Sequence, residues 1–443
     1  MGNTPHIDKS SAISHQGNSL ISSKAPRTLH IVLNSVVEDS RVLKCAWSLA
    51  NAGWDVLVVG AAATQHVDEI GIGYARIKRL HLKPVVVQQQ MALFLRYMRK
   101  IKRKIENRII KKLNPPIPNL HRSVAAISPV AFDFLPDVIH AHDYTALPIA
   151  GAICEKLKKA GHECQLIYDA HEYVPGVAHL NKPLRRVYTN KERYFASRSA
   201  AILSVSEGKN ELLIPHLGIS TPPFIVANDP LSEGQQPSKR NLRDDCKITK
   251  DVPLLVYSGA VAPQRGVGDV LSALKNMPGV HLALIANPKN ATVMKYVEDH
   301  PDLSDRFHVL PYVPNAELVS YLSTADIGLI PIHHKLNHEI SLITKFGEYM
   351  QARLPIIVSD VRTMAAEVRR LGNGEVFIAQ DTADFAQAVA KVLENKAKYV
   401  NVYTPEILSE RSWERQAENL VAIYNKVAKV SPSARAHLPF EIN

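Results

Sequence analysis

A lysine and a glutamate lie three residues apart where a loop opens into a predicted helix, in SLITKFGEYMQARLPIIVSD (341–360). A cation at the start of a helix opposes the helix dipole unless an anion lies there, so Lys345 suggests a bound phosphate. Glu348 can accept hydrogen bonds from ribose hydroxyls, as acidic residues do in dinucleotide folds. The alternative is an exposed Lys–Glu ion pair worth about 0.2–0.5 kcal/mol, which the spacing alone favours.

A second predicted strand-to-helix junction carries an arginine, in YSGAVAPQRGVGDVLSAL (257–274). Gly259 ends the strand, and Arg265 and Gly266 open the helix. Free N–H groups at a helix start attract phosphate, and an adjacent arginine adds a bidentate donor. Glycine turns of this kind are common in α/β proteins, so the motif alone favours a plain turn. Together with Lys345, Arg265 predicts a clamp for a diphosphate.

Histidines close two other predicted strands, in DVIHAHD (137–143) and LIYDAHE (166–172). A histidine in such a place is more often structural than catalytic. His142 is a catalytic candidate because its strand end faces the predicted ligand cleft. His140 points to the same face of the sheet one pleat deeper, and is predicted to be structural. Asp169 closes its strand and is expected to cap a helix or to form an ion pair.

Two other residue groups could suggest metal or redox chemistry. His333, His334 and His338 lie close together, but acidic ligands at metal-binding spacing are missing, so no metal site is expected there. The cysteines are far apart and contain no CxxC pair, which predicts reduced structural thiols at positions 45, 154, 164 and 246.

Buried strands alternate with helices in two series, which predicts two parallel sheets covered on both faces. Ligands of such sheets bind at the carboxyl ends of the strands. Two Rossmann-like halves would therefore face each other with those ends across one cleft. The predicted strands are 27–36, 55–61, 137–143, 164–172, 200–208 and 224–229 in the first half, and 253–261, 280–287, 307–313, 325–332, 355–360 and 374–379 in the second.

The domain organisation follows from these series and from composition. A chain of 443 residues predicts more than one domain. The polar stretch 231–252 is the predicted linker between domains at 27–230 and 253–411. The amphipathic helix 412–430 is expected to pack back onto the first domain. Residues 1–26 lack the apolar middle of a signal peptide, which predicts a mobile tail and a cytoplasmic protein.

The net charge of +11 is concentrated in one segment. Residues 96–112 hold nine Lys or Arg and one Glu, and apolar residues at steps of three and four predict an amphipathic helix over 94–113. Such a helix suits the anionic inner face of a membrane, whereas the alternative is a solvated charged face over an ordinary core stripe. Aromatic residues do not interleave with the basic ones, so nucleic acid is not an expected partner. No apolar run is long enough to span a bilayer.

The segment 341–360 resembles the K-x-x-E-Y segment of retaining glycosyltransferases of family four, which have the GT-B fold of two Rossmann-like domains facing each other across a cleft. The junction 257–274 resembles their phosphate loop. The likeness runs from about residue 28 to about 428, in matching order and spacing. Further similar stretches are EDSRVLKCAWSLANAGWDVLVVG, DVIHAHDYTALPIA, LIYDAHEY and YLSTADIGLIPI.

The resemblance implies a hexosyltransferase that moves a sugar from a nucleoside diphosphate sugar to an acceptor hydroxyl with retention of configuration. It implies that Arg265 and Lys345 bind the diphosphate and assist catalysis, and that Glu348 binds the ribose. No metal or other cofactor is expected, because the cations neutralise the leaving diphosphate. Other implied site residues are Gly259, Ser341, Leu342, Ile343 and Thr344 on the donor side, His142 near the transferred sugar, and Asp39, Arg41, His171 and Glu172 on the acceptor side.

The expected acceptor is a carbohydrate or a lipid-linked molecule, in the synthesis of a polysaccharide, glycolipid or glycoconjugate. Two departures from the family pattern are Ala260, where members often carry an arginine, and Ile340, where many carry a glutamate eight residues before Glu348. Those departures favour a non-catalytic nucleotide-sugar-binding protein as the alternative. A sugar-nucleotide 2-epimerase on the same fold is a third possibility.

Overall fold

The computed structural model describes residues 25–441 except 38, 63–67, 83–116, 118, 178 and 233–234. The predicted basic helix 94–113 and almost all of the predicted tail 1–26 lie outside the described residues. The described chain forms two α/β units, each built on one sheet.

The first sheet comprises β1 (Arg27–Ile31), β2 (Asp55–Ala61), β3 (Asp68–Ile72), β4 (Ala75–Leu80), β5 (Val138–His142), β6 (Gln165–Asp169), β7 (Ala201–Ser204) and β8 (Phe224–Ile225). The spatial order is β3-β4-β2-β1-β5-β6-β7-β8, and only the pair β3–β4 is antiparallel. The connecting helices are α1 (Ser40–Asn51), α2 (Leu120–Phe134), α3 (Asp143–Lys159), α4 (Lys182–Ala196) and α5 (Glu207–Leu217).

The second sheet comprises β9 (Leu254–Ser258), β10 (His281–Ile285), β11 (Phe307–Leu310), β12 (Ile327–Ile330), β13 (Ile356–Ser359) and β14 (Gly374–Phe377). It is parallel throughout, in the order β11-β10-β9-β12-β13-β14. The chain between and after these strands forms α6 (Leu242–Asp245), α7 (Val267–Leu274), α8 (Ala291–Asp299), α9 (Asn315–Leu322), α10 (Leu336–Glu339), α11 (Thr344–Gln351), α12 (Arg362–Leu371), α13 (Thr382–Glu394), α14 (Lys396–Val400), α15 (Pro405–Glu410) and α16 (Trp413–Ala428).

Both sheets are Rossmann-like, which confirms the predicted α/β class. The order of the second sheet is the doubly wound one, and the same order recurs in the first sheet from β4 to β7. Central strands such as β5 and β9 are buried along their whole length, as expected for strands covered by helices on both faces. Each sheet has a switch point at its centre, between β1 and β5 and between β9 and β12, where ligands of this fold class bind.

The antiparallel strands β3 and β4 and the helix α2 were not predicted. The sequence of β4, ARIKRL, places charged residues between buried ones, so it lacks the continuous apolar run of a central strand. The first strand was predicted to reach residue 36 but ends at Ile31. The chain turns after it, because Val36 has a positive φ of 69° and its amide donates to the side chain of Asn34.

The two units are joined by two crossings of the chain. In the segment 231–252, predicted as a linker, Arg243 of α6 forms a 2.6 Å ion pair with Asp326 of the second unit. The final helix α16 returns to the first unit, where Trp413 Nε1 donates to Ser48 Oγ of α1 at 2.9 Å and Tyr424 is fully buried. The last described residues continue along α1, where the Trp47 indole donates to the carbonyl of Leu438.

None of the described helices is both long and apolar enough to cross a membrane. The cysteines are buried as free thiols.

Candidate functional site

A cavity of about 490 Å³ lies between the two units at the carboxyl ends of their central strands. The first unit contributes residues after β1, β6 and β8, and the second unit contributes the loop after β9 and the start of α11. The lining residues are Asp39, Arg41, His171, Glu172, Val205, Asn228, Ser258, Gly259, Ala260, Arg265, Tyr312, Asn315, Leu318, Ser341, Leu342, Ile343, Thr344, Lys345 and Glu348. All predicted donor-side and acceptor-side residues are therefore brought together, with the exception of His142.

The loop after β9 depends on two glycines. Gly259 has a φ of 112°, a conformation that favours glycine, and its amide donates to the carbonyl of Ile285 at 2.9 Å. A Cβ on Gly266 would lie 1.7 Å from the carbonyl oxygen of Pro331, so no other residue fits. Between them a short 3₁₀ turn, Pro263–Arg265, places Arg265 at the cavity.

Lys345 lies in the first turn of α11, directly over the ring of Tyr257. Its ammonium is 3.4 Å from the ring centroid, and among the described residues it forms no ion pair with a carboxylate. Burial, and next the charge of Arg265, hold the pKa of Lys345 well below its usual range. The helix begins after Ile343, whose side chain does not cap it. A cation and uncapped amides therefore meet at one end of the helix, where they attract an anion.

Glu348 lies one turn further along α11. It forms neither a hydrogen bond nor an ion pair with another described residue, so the exposed Lys345–Glu348 pair considered as the alternative is not formed. Burial raises the pKa of Glu348, while the nearby Lys345 and Lys44 oppose that shift. A half-buried carboxylate without a protein donor has its full hydrogen-bonding capacity available to a ligand.

The charged residues of the opposite wall are engaged with protein groups. Arg41 donates from Nε and Nη2 to the two oxygens of Asp169 at 2.8 and 2.7 Å, and from Nη1 to the carbonyl of Val226 at 2.7 Å. Asp39 caps α1 through the amide of Val42 and accepts from Asn34 Nδ2 at 2.7 Å. Arg41 thus contributes to the cavity wall while its charge is neutralised, which confirms the expected ion pair at Asp169.

His171 and Glu172 follow β6 and reach the cavity from the same wall. His171 Nε2 lies 3.0 Å from Asp169 Oδ2, and although burial lowers the pKa of His171, the Asp169 carboxylate raises it above the usual value. Glu172 accepts a 2.8 Å hydrogen bond from Asn337 Nδ2 of α10. That bond joins the two units across the rim of the cavity.

His142 does not line the cavity, although it was predicted to lie near the transferred sugar. Its side chain is 1% exposed, and its Nε2 lies 3.0 Å from Nδ1 of His30 on β1. The face of β5 that carries His140 and His142 turns toward α16, where Tyr424 lies 2.7 Å from Nδ1 of His140. The side-chain alternation was correctly predicted, but the face is covered by a helix that is distant in sequence.

The two departures from the family pattern are visible at the cavity. Ala260 lines the cavity without adding a cation. Ile340 is 1% exposed, and the neighbouring Glu339 lies outside the cavity lining, bound to His334 Nδ1 at 2.5 Å and to the amide of Arg362 at 2.8 Å. Glu339 therefore does not substitute for the glutamate that Ile340 replaces.

Some of the lining residues were not predicted. They include Asn228 and Ser258, which lie at or just beyond the carboxyl ends of β8 and β9, and Tyr312, two residues after β11. Asn228 Nδ2 also donates to Thr344 Oγ1 across the two units at 3.2 Å. The position at a strand end was an available signal, but the residue types carry no distinctive chemistry.

Comparisons with known families and proteins agree with this architecture. A family described as glycosyl transferases group 1 matches residues 238–405, and one described as a glycosyl transferase 4-like domain matches residues 40–228. A D-inositol 3-phosphate glycosyltransferase of Mycobacteroides abscessus is 19% identical over 193 residues, which are 42% of each chain. A Bacillus subtilis protein named as a teichuronic acid biosynthesis glycosyltransferase is 23% identical over 292 residues. That match covers 63% of this chain and 65% of the relative.

Solved structures share the fold over nearly the whole chain. Sucrose-phosphate synthase from Thermosynechococcus elongatus superposes with a TM-score of 0.69 at 16% identity, covering 91% of this chain and 99% of that one. Anabaena HepE, solved in complex with UDP-glucose, gives a TM-score of 0.64 at 13% identity, covering 90% and 99%. With the two family matches, which together account for most of the residues, these findings show that the chain belongs to the family-four glycosyltransferases and has their GT-B fold.

Proposed function

We propose that this protein is a retaining hexosyltransferase, which moves a sugar from a nucleoside diphosphate sugar to an acceptor hydroxyl. The observation that carries the proposal is that Arg265, Lys345 and Glu348 are brought together without protein partners for their charges. They line one cavity, and among the described residues none of the three side chains has an ion-pair partner. Partly buried charges without partners cost stability, so a ligand that supplies the partners explains why they are there.

The diphosphate binds between Arg265 and Lys345. As the bond from the sugar to the diphosphate breaks, negative charge develops on the leaving oxygen, and the two cations and the amides at the start of α11 stabilise it. The loop after β9 has room for the phosphates because Gly259 has no side chain. Lys345 can neutralise the negative charge of the diphosphate without a metal ion. The pKa of Lys345, which is low in the free protein, rises when the diphosphate binds.

The ribose binds to Glu348. Because α11 places the carboxylate one turn beyond Lys345, a nucleoside attached to the clamped diphosphate brings its two hydroxyls to Glu348. Anabaena HepE, which has the same fold, was solved with UDP-glucose, and this supports a nucleotide sugar as the ligand class.

The acceptor binds against Asp39, His171 and Glu172 on the opposite wall. Its hydroxyl attacks on the same face that the diphosphate leaves and passes its proton to the leaving diphosphate oxygen, which gives retention without a nucleophilic side chain. Closure of the two units excludes water that would otherwise hydrolyse the donor. The contacts Asn337–Glu172 and Asn228–Thr344 hold the units together beside the cavity.

The acceptor class is a carbohydrate or a lipid-linked carbohydrate presented at an anionic membrane face. The names of the two relatives, which mention an inositol phosphate and a teichuronic acid, support carbohydrate or polyol acceptors. The basic composition of 96–112 supports a membrane surface. Cosedimentation with anionic vesicles at low salt tests the membrane part, and a protein that stays in solution contradicts it.

The test of the function is release of nucleoside diphosphate from UDP-, GDP- and ADP-linked hexoses, with NMR of the anomeric proton in the product. Glu348→Ala is expected to abolish turnover and to leave the melting temperature nearly unchanged. Glu298→Ala, on the exposed face of α8, is the matched control and retains full turnover. Wild-type turnover in Glu348→Ala, or an inverted product, contradicts the proposal.

A second candidate is a nucleotide-sugar-binding protein without catalysis, favoured by Ala260 and by the displaced Glu339. A thermal-shift series separates the two. A ligand at a hundred times its dissociation constant adds about 2.7 kcal/mol of stability. Stabilisation by a nucleotide sugar without any turnover supports the second candidate.

A further inference from the structure

A compact cluster of imidazoles lies inside the first unit and has no part in the proposed transfer. His30 lies on β1, and His140 and His142 lie on the neighbouring strand β5, with His30 directly opposite His140 in the register. The three side chains are at most 1% exposed. Two histidines separated by one residue on a strand share a face, so a third on the adjacent strand completes a triad.

The nitrogens of the triad converge. His30 Nδ1 lies 3.0 Å from His142 Nε2, and the rings of His140 and His142 are stacked with centroids 4.0 Å apart. One nitrogen from each of the three rings lies within 4.8 Å of the others. Ligands about 2 Å from a tetrahedral zinc ion are separated by little more than 3 Å, and the His30–His142 pair already has a spacing close to that.

The outer nitrogens of the triad give a second, independent observation. His140 Nε2 and His142 Nδ1 are buried without a hydrogen-bond partner, and both point toward Asp169 Oδ2, at 3.5 and 3.4 Å. Histidines that bind a metal almost always donate their other N–H group to a carboxylate. Asp169 is fixed in place by Arg41, so a carboxylate of the outer shell is already present.

We propose that His30, His140 and His142 bind a divalent transition metal ion of the zinc type, with Asp169 as the outer-shell acceptor. Three imidazoles favour zinc, copper, nickel or cobalt over magnesium or calcium. Tyr424 of α16 closes the site, because its hydroxyl lies 2.7 Å from His140 Nδ1, the nitrogen of His140 that faces away from Asp169.

The role of this ion is structural, because it joins parts of the chain that are far apart. Its ligands come from β1 and β5, and Tyr424 of α16, near the far end of the chain, covers them. The ion lies beneath the cavity floor, separated from it by Asp169 and His171. It therefore takes no part in the sugar transfer, and its presence does not depend on the proposed function.

The test is the metal content of the full chain, produced without a histidine tag in medium supplemented with zinc or with cobalt. About one equivalent of bound metal is expected after dialysis, with the visible absorption of tetrahedral cobalt in the cobalt form. A chelator that removes the ion should lower the melting temperature of the wild type. A wild-type protein that is folded by circular dichroism and holds no zinc or cobalt overturns the proposal.

Three variants locate the ion. His30→Gln should lower the metal content by at least about tenfold. His281→Gln, in a half-buried pair of the second unit where His281 Nδ1 lies 2.9 Å from His308 Nε2, is the matched control and should keep the metal. His171→Gln separates the triad from the alternative group formed by His142, Asp169 and His171. Retention of metal in His171→Gln supports the triad, and its loss there with retention in His30→Gln overturns it.

Discussion

The two walls of the cavity differ in whether their charged side chains have protein partners. On the wall of the second unit, Arg265, Lys345 and Glu348 have no ion-pair partner among the described residues. On the wall of the first unit, Arg41 is bound to Asp169 on both oxygens, and His171 lies against the same carboxylate. The charged groups of the second unit's wall need a ligand to supply their partners, whereas Arg41 and His171 on the first unit's wall already have a partner within the protein.

This difference separates binding from stability. Substitution of an unpaired charge removes a group that a ligand needs, and relieves a desolvation cost in the free protein. Substitution of one partner in a buried pair leaves the other charge buried and uncompensated. The two walls should therefore respond in opposite ways to the same kind of substitution.

Arg41→Met is expected to give the largest effect. It leaves the Asp169 carboxylate, which is fully buried, without its bidentate partner, and the free energy of unfolding should fall by about 3–5 kcal/mol. Urea denaturation followed by circular dichroism measures it. The double variant Arg41→Met/Asp169→Leu should recover much of the loss, because neither charge is then buried alone. If the free energy of unfolding of Arg41→Met falls by less than about 1 kcal/mol, the value expected of an exposed pair, the Arg41–Asp169 pair does not stabilise the first unit's wall as inferred.

Lys345→Met comes next and should act on turnover instead of stability. Loss of one preorganised cation lowers turnover by about 10²–10³-fold. The melting temperature should stay the same or rise, since an ammonium without an ion pair is removed from over the Tyr257 ring. A Lys345→Met protein with a lower melting temperature than the wild type, or with wild-type turnover, would contradict the distinction between the two walls.

The sequence predicted the second wall better than the first, for a physical reason. Lys345 and Glu348 lie within one turn of a helix, so their proximity follows from local geometry. The pair Arg41–Asp169 spans 128 residues and Asn337–Glu172 spans 165, and no local pattern indicates them. The sequence motifs were therefore informative where the site residues are close together in the sequence.

The same reasoning explains the fold and its exceptions. Alternating buried strands and helices predicted both sheets, because strands covered on two faces must be apolar along their length. The hairpin β3–β4 was missed, since charged residues lie between the buried residues of β4 and no continuous apolar run marks it. His142 was correctly placed at a strand end, but it is buried against His30 and His140, which Tyr424 covers from α16, 282 positions further along the chain. Coverage by a distant helix is not visible in the strand that it covers.

A third, smaller effect is the pH dependence of donor binding. Burial and Arg265 lower the pKa of Lys345 in the free protein, and a bound diphosphate raises it, so Lys345 takes up a proton on binding. Affinity for a nucleotide sugar should therefore fall as the pH rises through the range in which free Lys345 loses its proton, by at most about tenfold per pH unit. Glu348 on the same helix, with Lys44 near it, and the Tyr257 ring below complete the surroundings of this ammonium.

Calorimetry in buffers of different ionisation enthalpy measures this proton uptake. Lys345→Arg is the matched control, because a guanidinium stays charged at every accessible pH and so takes up no proton. The difference between wild type and Lys345→Arg isolates Lys345 from any contribution of Glu348. Equal uptake in the two proteins would mean that Lys345 is already protonated before the donor binds, which contradicts this prediction.

Asn337→Ala should give the smallest effect, at the rim where the two walls meet. The Asn337–Glu172 hydrogen bond of 2.8 Å joins the units, and its loss should weaken closure by about 0.5–1.5 kcal/mol. A more open cavity admits water, so hydrolysis of the donor without acceptor should rise severalfold while the melting temperature of the protein hardly changes. Arg362→Ala removes the exposed ion pair with Glu211, which also joins the units but lies outside the cavity lining, and should leave hydrolysis unchanged. Equal hydrolysis in both variants would show that closure depends on the whole interface between the units and not on the Asn337–Glu172 contact.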